Sequence, residues 1–330
     1  MTVQLTIIGM GKIGTSIGLA LSDETHQLNR VGHDMDHQRA QEAQKLGAVD
    51  SVQRNLYKSI ENTDVLVLAI PVDQVIETLE LIKNDLREDA VILDTAPLKK
   101  ATIDWVEKNL PEKVYYISMM PTLNAALFDE NKKGVEAASK DMFKNSMMVI
   151  ATPGKTETDA LALASNLSIM LGAAPYYADA IESDGMMAGS HVVPQLMAAG
   201  LLNSLSKQPG WPETRKIASK AYYQATLPAL NYDDKARLGE SMIADRENVV
   251  RQLNFLIQEL IDYRDALNEK DYTTMQDALE QAQNERLLWL SRRLENNWQN
   301  EKEKMDLPSA RDMFGQLFGF GNRGKRTKRE

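Results

Sequence analysis

The chain has 330 residues, 43% of them hydrophobic and 26% charged, and its 47 acidic against 38 basic side chains leave a formal net charge of −9. That length suits two domains of roughly 100 to 200 residues, and the negative charge disfavours nucleic acid as a partner. The absence of cysteine excludes disulfides, thiolate nucleophiles and Cys-ligated metals. No apolar run reaches the roughly 18 residues that span a bilayer, and no basic segment precedes the first apolar run, so neither a membrane segment nor a leader peptide is expected and the cytoplasm is the default compartment.

The first apolar run, VQLTIIG at 3–9, reads as a strand, and GKIGTSIGLALS at 11–22 continues it at helical spacing. RVGHD at 30–34 and the helix DHQRAQEAQKLG at 36–47 follow, then a third short strand, DVLVLAIP at 64–71 and the helix VDQVIETLELIKNDL at 72–86. AVILD at 90–94, VYYIS at 114–118 and NSMMVIATP at 145–153 add strands, and TETDALALASNLSIMLGA at 156–173 one more helix. Strands separated by helices predict a parallel sheet covered on both faces.

From about Ile181 the strand signals vanish. Residues 183–205, 247–271 and 273–298 read as long amphipathic helices, the first with small residues on one face. The fold class is therefore a Rossmann-type α/β domain followed by an all-α domain, with boundaries at 1–180 and 181–300. Residues 301–330, ending in the basic NRGKRTKRE, read as a flexible solvated tail. A helical domain this long and apolar predicts a homodimer.

Gly9, Gly11 and Gly14 form GxGxxG directly after the first strand and at the start of the first helix. The first glycine permits the turn, the second lets a pyrophosphate approach the backbone, and the third lets helix and strand pack closely. Lys12 and Ile13 lie between them at the helix N-terminus, which offers N–H groups to phosphate. Asp34 closes the second strand 20 residues after Gly14, where a carboxylate binds the adenosine ribose; it would repel a 2′-phosphate, so NAD is expected and NADP is less suited. Ile70 and Pro71 end the fourth strand and border the same cofactor site, although Pro71 also suits the first position of a helix. No cluster of His, Asp or Glu has metal-ligand spacing.

Together IIGMGKIGTSIGLAL, AIPVDQV, VILDTAPLK, GVEAASKDMF at 134–143 and ESDGMMAGSHVVPQLMAAGL resemble the prephenate and arogenate dehydrogenase family of tyrosine biosynthesis, over roughly residues 4 to 270. The resemblance implies NAD- or NADP-dependent oxidation of a cyclohexadienol, with a histidine taking the hydroxyl proton and loss of carbon dioxide making the ring aromatic. Several positions depart from the family pattern. Met120, before Pro121, holds the place of the catalytic histidine, Pro97 that of a serine in Asp-x-x-Ser-x-Lys, and Ser183 that of the histidine in a His-Asp pair. Asp94, Lys99, Asp184, Ser190, His191 and Pro194 match. No arginine stands in AYYQATLPAL, the nearest counterpart of the family's substrate-binding loop.

Three readings remain open. A dehydrogenase acting on prephenate, arogenate or a close relative would use His191 as relocated acid or base, with Lys99 or Arg246 anchoring a carboxylate. An oxidoreductase of the same architecture with a less acidic substrate would be lined by Met120, with Asn124 supplying one amide. A dinucleotide-bound regulator would turn nothing over. Against each site role stands a structural one: packing for Met119 and Met120, a buried helix residue for His191, and a surface or interface cation for Lys99 and Arg246.

Overall fold

The computed structural model describes residues 2–24, 26–128, 132–154, 156–230 and 238–296. Its first strand, β1 (Val3–Ile8), is buried along nearly its whole length, which is what the β-branched run dictates for a central parallel strand. In chain order follow α1 (Lys12–Ala20), β2 (Leu28–His33), α2 (His37–Lys45), β3 (Ser51–Val52), α3 (Leu56–Ile60), β4 (Val65–Leu68), α4 (Val72–Ile82), β5 (Val91–Asp94) and α5 (Lys100–Asn109). Next come β6 (Tyr115–Pro121), β7 (Ser146–Ala151), α6 (Thr158–Met170) and β8 (Ala173–Tyr177). The strands form one sheet in the order β3-β2-β1-β4-β5-β6-β7-β8, with α1, α2 and α6 over one core and α4 and α5 over the other. This is the α/β architecture that the alternation predicts.

Two features go beyond that prediction. β7 runs antiparallel to β6, because the intervening segment forms no helix among its described residues and stays at the carboxyl edge of the sheet. There Thr122 N donates to Met147 O, and Met147 N donates back to Thr122 Oγ1. A chain that turns at one edge must run back alongside its neighbour. β8 is the other addition, pairing parallel to β7 at the sheet's edge. Its sequence, AAPYY, is short, half-exposed and carries Pro175, so it gives little strand signal; proline is tolerated at an edge because no neighbour needs its N–H.

The helical half opens with α7 (Ala180–Met187) and continues through a π-helical turn, Ala188–Val192, into α8 (Val193–Ser206). The sequence reads this stretch as one helix. Pro194 supplies the reason for the wider turn: it donates no N–H, and its ring crowds the carbonyl one turn back. Then come α9 (Trp211–Thr214), α10 (Lys220–Thr226), α11 (Leu238–Ala244), α12 (Arg246–Glu269) and α13 (Tyr272–Glu295). Lys270, in the left-handed region at φ 58°, ends α12 and lets α13 fold back on it. A third apolar cluster joins the two halves: Leu98, Met120 and Val149 of the sheet domain meet Met187, Ala188, Val192 and Val249. The tail at 301–330 lies outside the described residues.

Candidate functional site

The glycine turn is built for close approach. Gly9 has φ 94°, and a Cβ on it would lie 2.3 Å from Ala69 O. A Cβ on Gly14 would lie 1.9 Å from Gly9 O, so that glycine is what lets α1 sit against β1. Around Gly11 nothing lies within 4 Å of such a Cβ, which leaves room for a ligand beside the backbone. The start of α1 has no side-chain cap and no acidic residue in its first turn, so its N–H groups and positive dipole end suit a phosphate. A groove of about 990 Å³ runs along this edge, lined among others by Gly9, Gly11, Asp34, Ile70 and Pro71. Lys12 and Ile13 begin α1 beside it.

Asp34 is fixed rather than free to swing. Its Oδ2 accepts from Met10 N and its Oδ1 from Asp36 N, both at 2.8 Å. Arg39 Nη1 stands 3.8 Å from Oδ2, and each carboxylate oxygen keeps a second lone pair directed at a ribose hydroxyl. The residues present therefore fit a dinucleotide. Its pyrophosphate would be held by the Gly11 to Gly14 turn and its adenosine ribose by Asp34.

The sequence-predicted substrate residues do not converge on one pocket. Lys99 is fully buried, its Nζ 3.0 Å from Asp94 Oδ2 and donating to Asp94 O at 2.9 Å. Tyr116 donates its hydroxyl to the same Asp94 Oδ2 at 2.6 Å. Burial lowers the Lys99 pKa against the pull of Asp94 and Asp184, and raises that of Tyr116. With its ammonium enclosed by Asp94, Lys99 presents no charge to a substrate. Asn124 caps a 3-10 turn by accepting from Ala126 N and donates its amide to Asp141 O, so both ends of the amide serve the backbone. Arg246 begins α12 with a largely exposed side chain near Glu247. Met120 packs in the seam between the two halves, against the elements that carry the π-helical turn. His191 sits in that turn, its own carbonyl accepting from Gln195 Nε2. Nearby chain lowers the imidazole pKa by desolvation, a modest effect because the residue remains solvent-accessible.

A second cavity of about 290 Å³ adjoins the dinucleotide groove, and Asp73 at the start of α4 lines both. Val72, Ile76 and Leu98 form an apolar wall, while Asp184, Glu240 and Asp245 come from the helical half and Lys100 from α5. Asp184, only 1% exposed, accepts from Lys99 N at 2.7 Å and Lys100 N at 2.8 Å. Burial raises its pKa to about 6; the two backbone bonds oppose that rise and Asp245 adds to it. Sequence reasoning matched Asp184 to a family position without giving it a role. A lone acid on a helix carries no signal of the loop it will meet, 84 residues away.

Residues 17–177 match the family model described as prephenate dehydrogenase, nucleotide-binding domain. Prephenate dehydrogenase of Bacillus subtilis (strain 168) is 22% identical over 271 residues, covering 81% of this chain and 71% of the relative. Cyclohexadienyl dehydrogenase of Zymomonas mobilis is 22% identical over 288 residues, covering 86% of this chain and 95% of the relative. Among solved structures, prephenate dehydrogenase from A. aeolicus, in complex with hydroxyphenyl propionate and NAD+, superposes with a TM-score of 0.76 at 19% identity. That match covers 87% of this chain and 98% of the other.

Proposed function

The chain belongs to the prephenate and arogenate dehydrogenase family, and from that premise we propose that it is an NAD-dependent dehydrogenase oxidising a ring alcohol of the prephenate or arogenate class. The observation that carries this reading is the cofactor cradle: Gly9 and Gly14 are sterically obligatory, Gly11 is open, and the Asp34 carboxylate is anchored beside the groove. Bound NAD supplies the hydride acceptor. Asp34 favours it over NADP, since a fixed carboxylate repels a 2′-phosphate, and the NAD+ held by the A. aeolicus relative supports the same choice.

On the substrate side the chain works with fewer polar groups than the family pattern. Met120 takes no proton, Pro97 has no hydroxyl, and Lys99 is occupied by Asp94. His191 then becomes the acid-base group, placed on the π-helical turn that packs over the seam. π-turns recur at functional sites because they redirect side chains that a regular helix would aim elsewhere.

A second reading, an oxidoreductase of the same architecture with a less acidic substrate, has its own support. Asp73, Asp104, Asp184, Glu240 and Asp245 line the cavity beside the groove, with Lys100 contributing a positive charge. Such a wall repels a dianion. The exposed apolar residues of α12 and α13, among them Phe255, Leu260, Leu279 and Leu287, support a homodimer closed through the helical half.

The test is NADH formation at 340 nm with NAD and prephenate or arogenate, beside calorimetric titration of NAD alone. Turnover lost in His191→Ala with NAD affinity retained is the expected result. Tight NAD binding without turnover of either compound would refute the first reading and direct the search to less acidic alcohols.

A further inference from the structure

The connection between β5 and α5, Thr95 to Lys99, leaves the sheet next to β4 and so borders the nicotinamide end of the groove, where ligands of open α/β sheets bind. It carries Pro97 at its centre and is held at three points. Thr95 donates both its N–H and its hydroxyl to Leu68 O on β4. Lys99 Nζ ties the far end back to Asp94, the last residue of β5. The third tie crosses the seam: Asp184 on α7 accepts from the consecutive N–H groups of Lys99 and Lys100, one on each carboxylate oxygen. Those donors belong to the first turn of α5, whose N-cap residue Lys99 makes no side-chain cap bond. A carboxylate from another helix thus does what an Asp or Ser at the N-cap does locally.

We infer that Asp184 is a positioning residue for the dehydrogenase reaction: it caps α5 from the helical half and so fixes the Thr95–Lys99 loop against the dinucleotide groove. The backbone ties at Thr95 and Lys99 lie within the sheet domain, whereas Asp184 sets where that loop stands relative to the helices of the other half. Ser183, its neighbour on α7, is fully buried with its Oγ unpaired and offers no substitute acceptor for those two N–H groups, which are already within hydrogen-bond reach of Asp184.

The effect on turnover rests on the dehydrogenase reading; the effect on the loop does not. In the full-length chain with NAD, Asp184→Asn keeps one acceptor oxygen and sets an amide donor against the other N–H. Its kcat is expected to fall about tenfold to a hundredfold, the range for losing a charge-assisted bond that orients a reacting group. KM and NAD affinity should change by about twofold or less, and Asp184→Glu, which keeps two acceptors, should recover part of kcat. Amide hydrogen exchange at Lys99 and Lys100 should quicken in Asp184→Asn relative to the rest of α5. Unchanged kcat with unchanged exchange at those two amides overturns the inference, as does a lowered melting temperature with normal kcat in the folded protein. If no compound is turned over, the dehydrogenase reading fails by itself, and exchange at Lys99 and Lys100 still decides whether Asp184 holds the loop.

Discussion

The pH dependence of stability should carry the signature of Asp184. Its carboxyl lies 1% exposed in the seam, and burial, with Asp245 adding to it, raises the pKa from 3.8 to about 6 in the folded chain. In the unfolded chain the same group titrates near its ordinary value. Between pH 4 and pH 6 the folded state therefore binds more protons than the unfolded one, so stability is greatest below about pH 4, falls as pH rises to about 6, and then levels off. At about 1.4 kcal/mol per pH unit, the loss attributable to this group is on the order of 3 kcal/mol. Asp245 contributes in the same direction, since burial raises its pKa too. Comparing the parent with Asp184→Asn isolates Asp184, because the neutral amide has no proton to lose. Urea unfolding of both proteins at pH 4 and pH 7 should show their difference in stability shifting by about 3 kcal/mol in favour of the variant at the higher pH. Parallel pH profiles for the two would refute the reasoning, and so would a shift of the opposite sign.

Asp34→Ala should weaken NAD binding by about tenfold to a hundredfold, the worth of a hydrogen bond to a charged acceptor; calorimetry showing less than about a twofold change would remove Asp34 from the site. Lys99→Met should cost about 3 to 5 kcal/mol of unfolding free energy, because it leaves the buried Asp94 carboxylate without its cation. Chemical denaturation measures that cost directly, and a loss below about 1 kcal/mol would mean that Asp94 is satisfied by Tyr116 and Ala96 alone.

Where local chemistry dictates geometry, the sequence was legible. The glycine spacing, the β-branched run before it and the acid 20 residues on each follow from short-range steric rules, and the structure brings them to one edge of the sheet. Chain reversal between β6 and β7 was not legible, since it depends on a Thr122 to Met147 exchange between residues 25 apart. The substrate half was harder still. Lys99 carries the charge of a carboxylate anchor, but Asp94 and Tyr116 claim that charge from positions only the folded sheet brings together. Asn124 likewise reads as a free amide until Asp141 and Ala126 are seen to engage it. A side chain's type states what it can bind; its neighbours in the fold decide whether that capacity is already spent.

The π-helical turn at Ala188–Val192 also has a bearing on how this chain can change. A regular helix advances about 100° per residue, so the one residue absorbed by a wider turn rotates everything after it by roughly that angle relative to the helix before it. Deleting a single residue between Gly189 and Val192 would restore the regular pitch while swinging α8 through a quarter turn, exchanging the face now packed at Val193 and Ala198 for the one now bearing Met197 and Leu201. Insertions and deletions are usually tolerated in loops. Here, in the middle of a 27-residue helical run from Ala180 to Ser206, the length of the chain is itself a determinant of which way His191 faces.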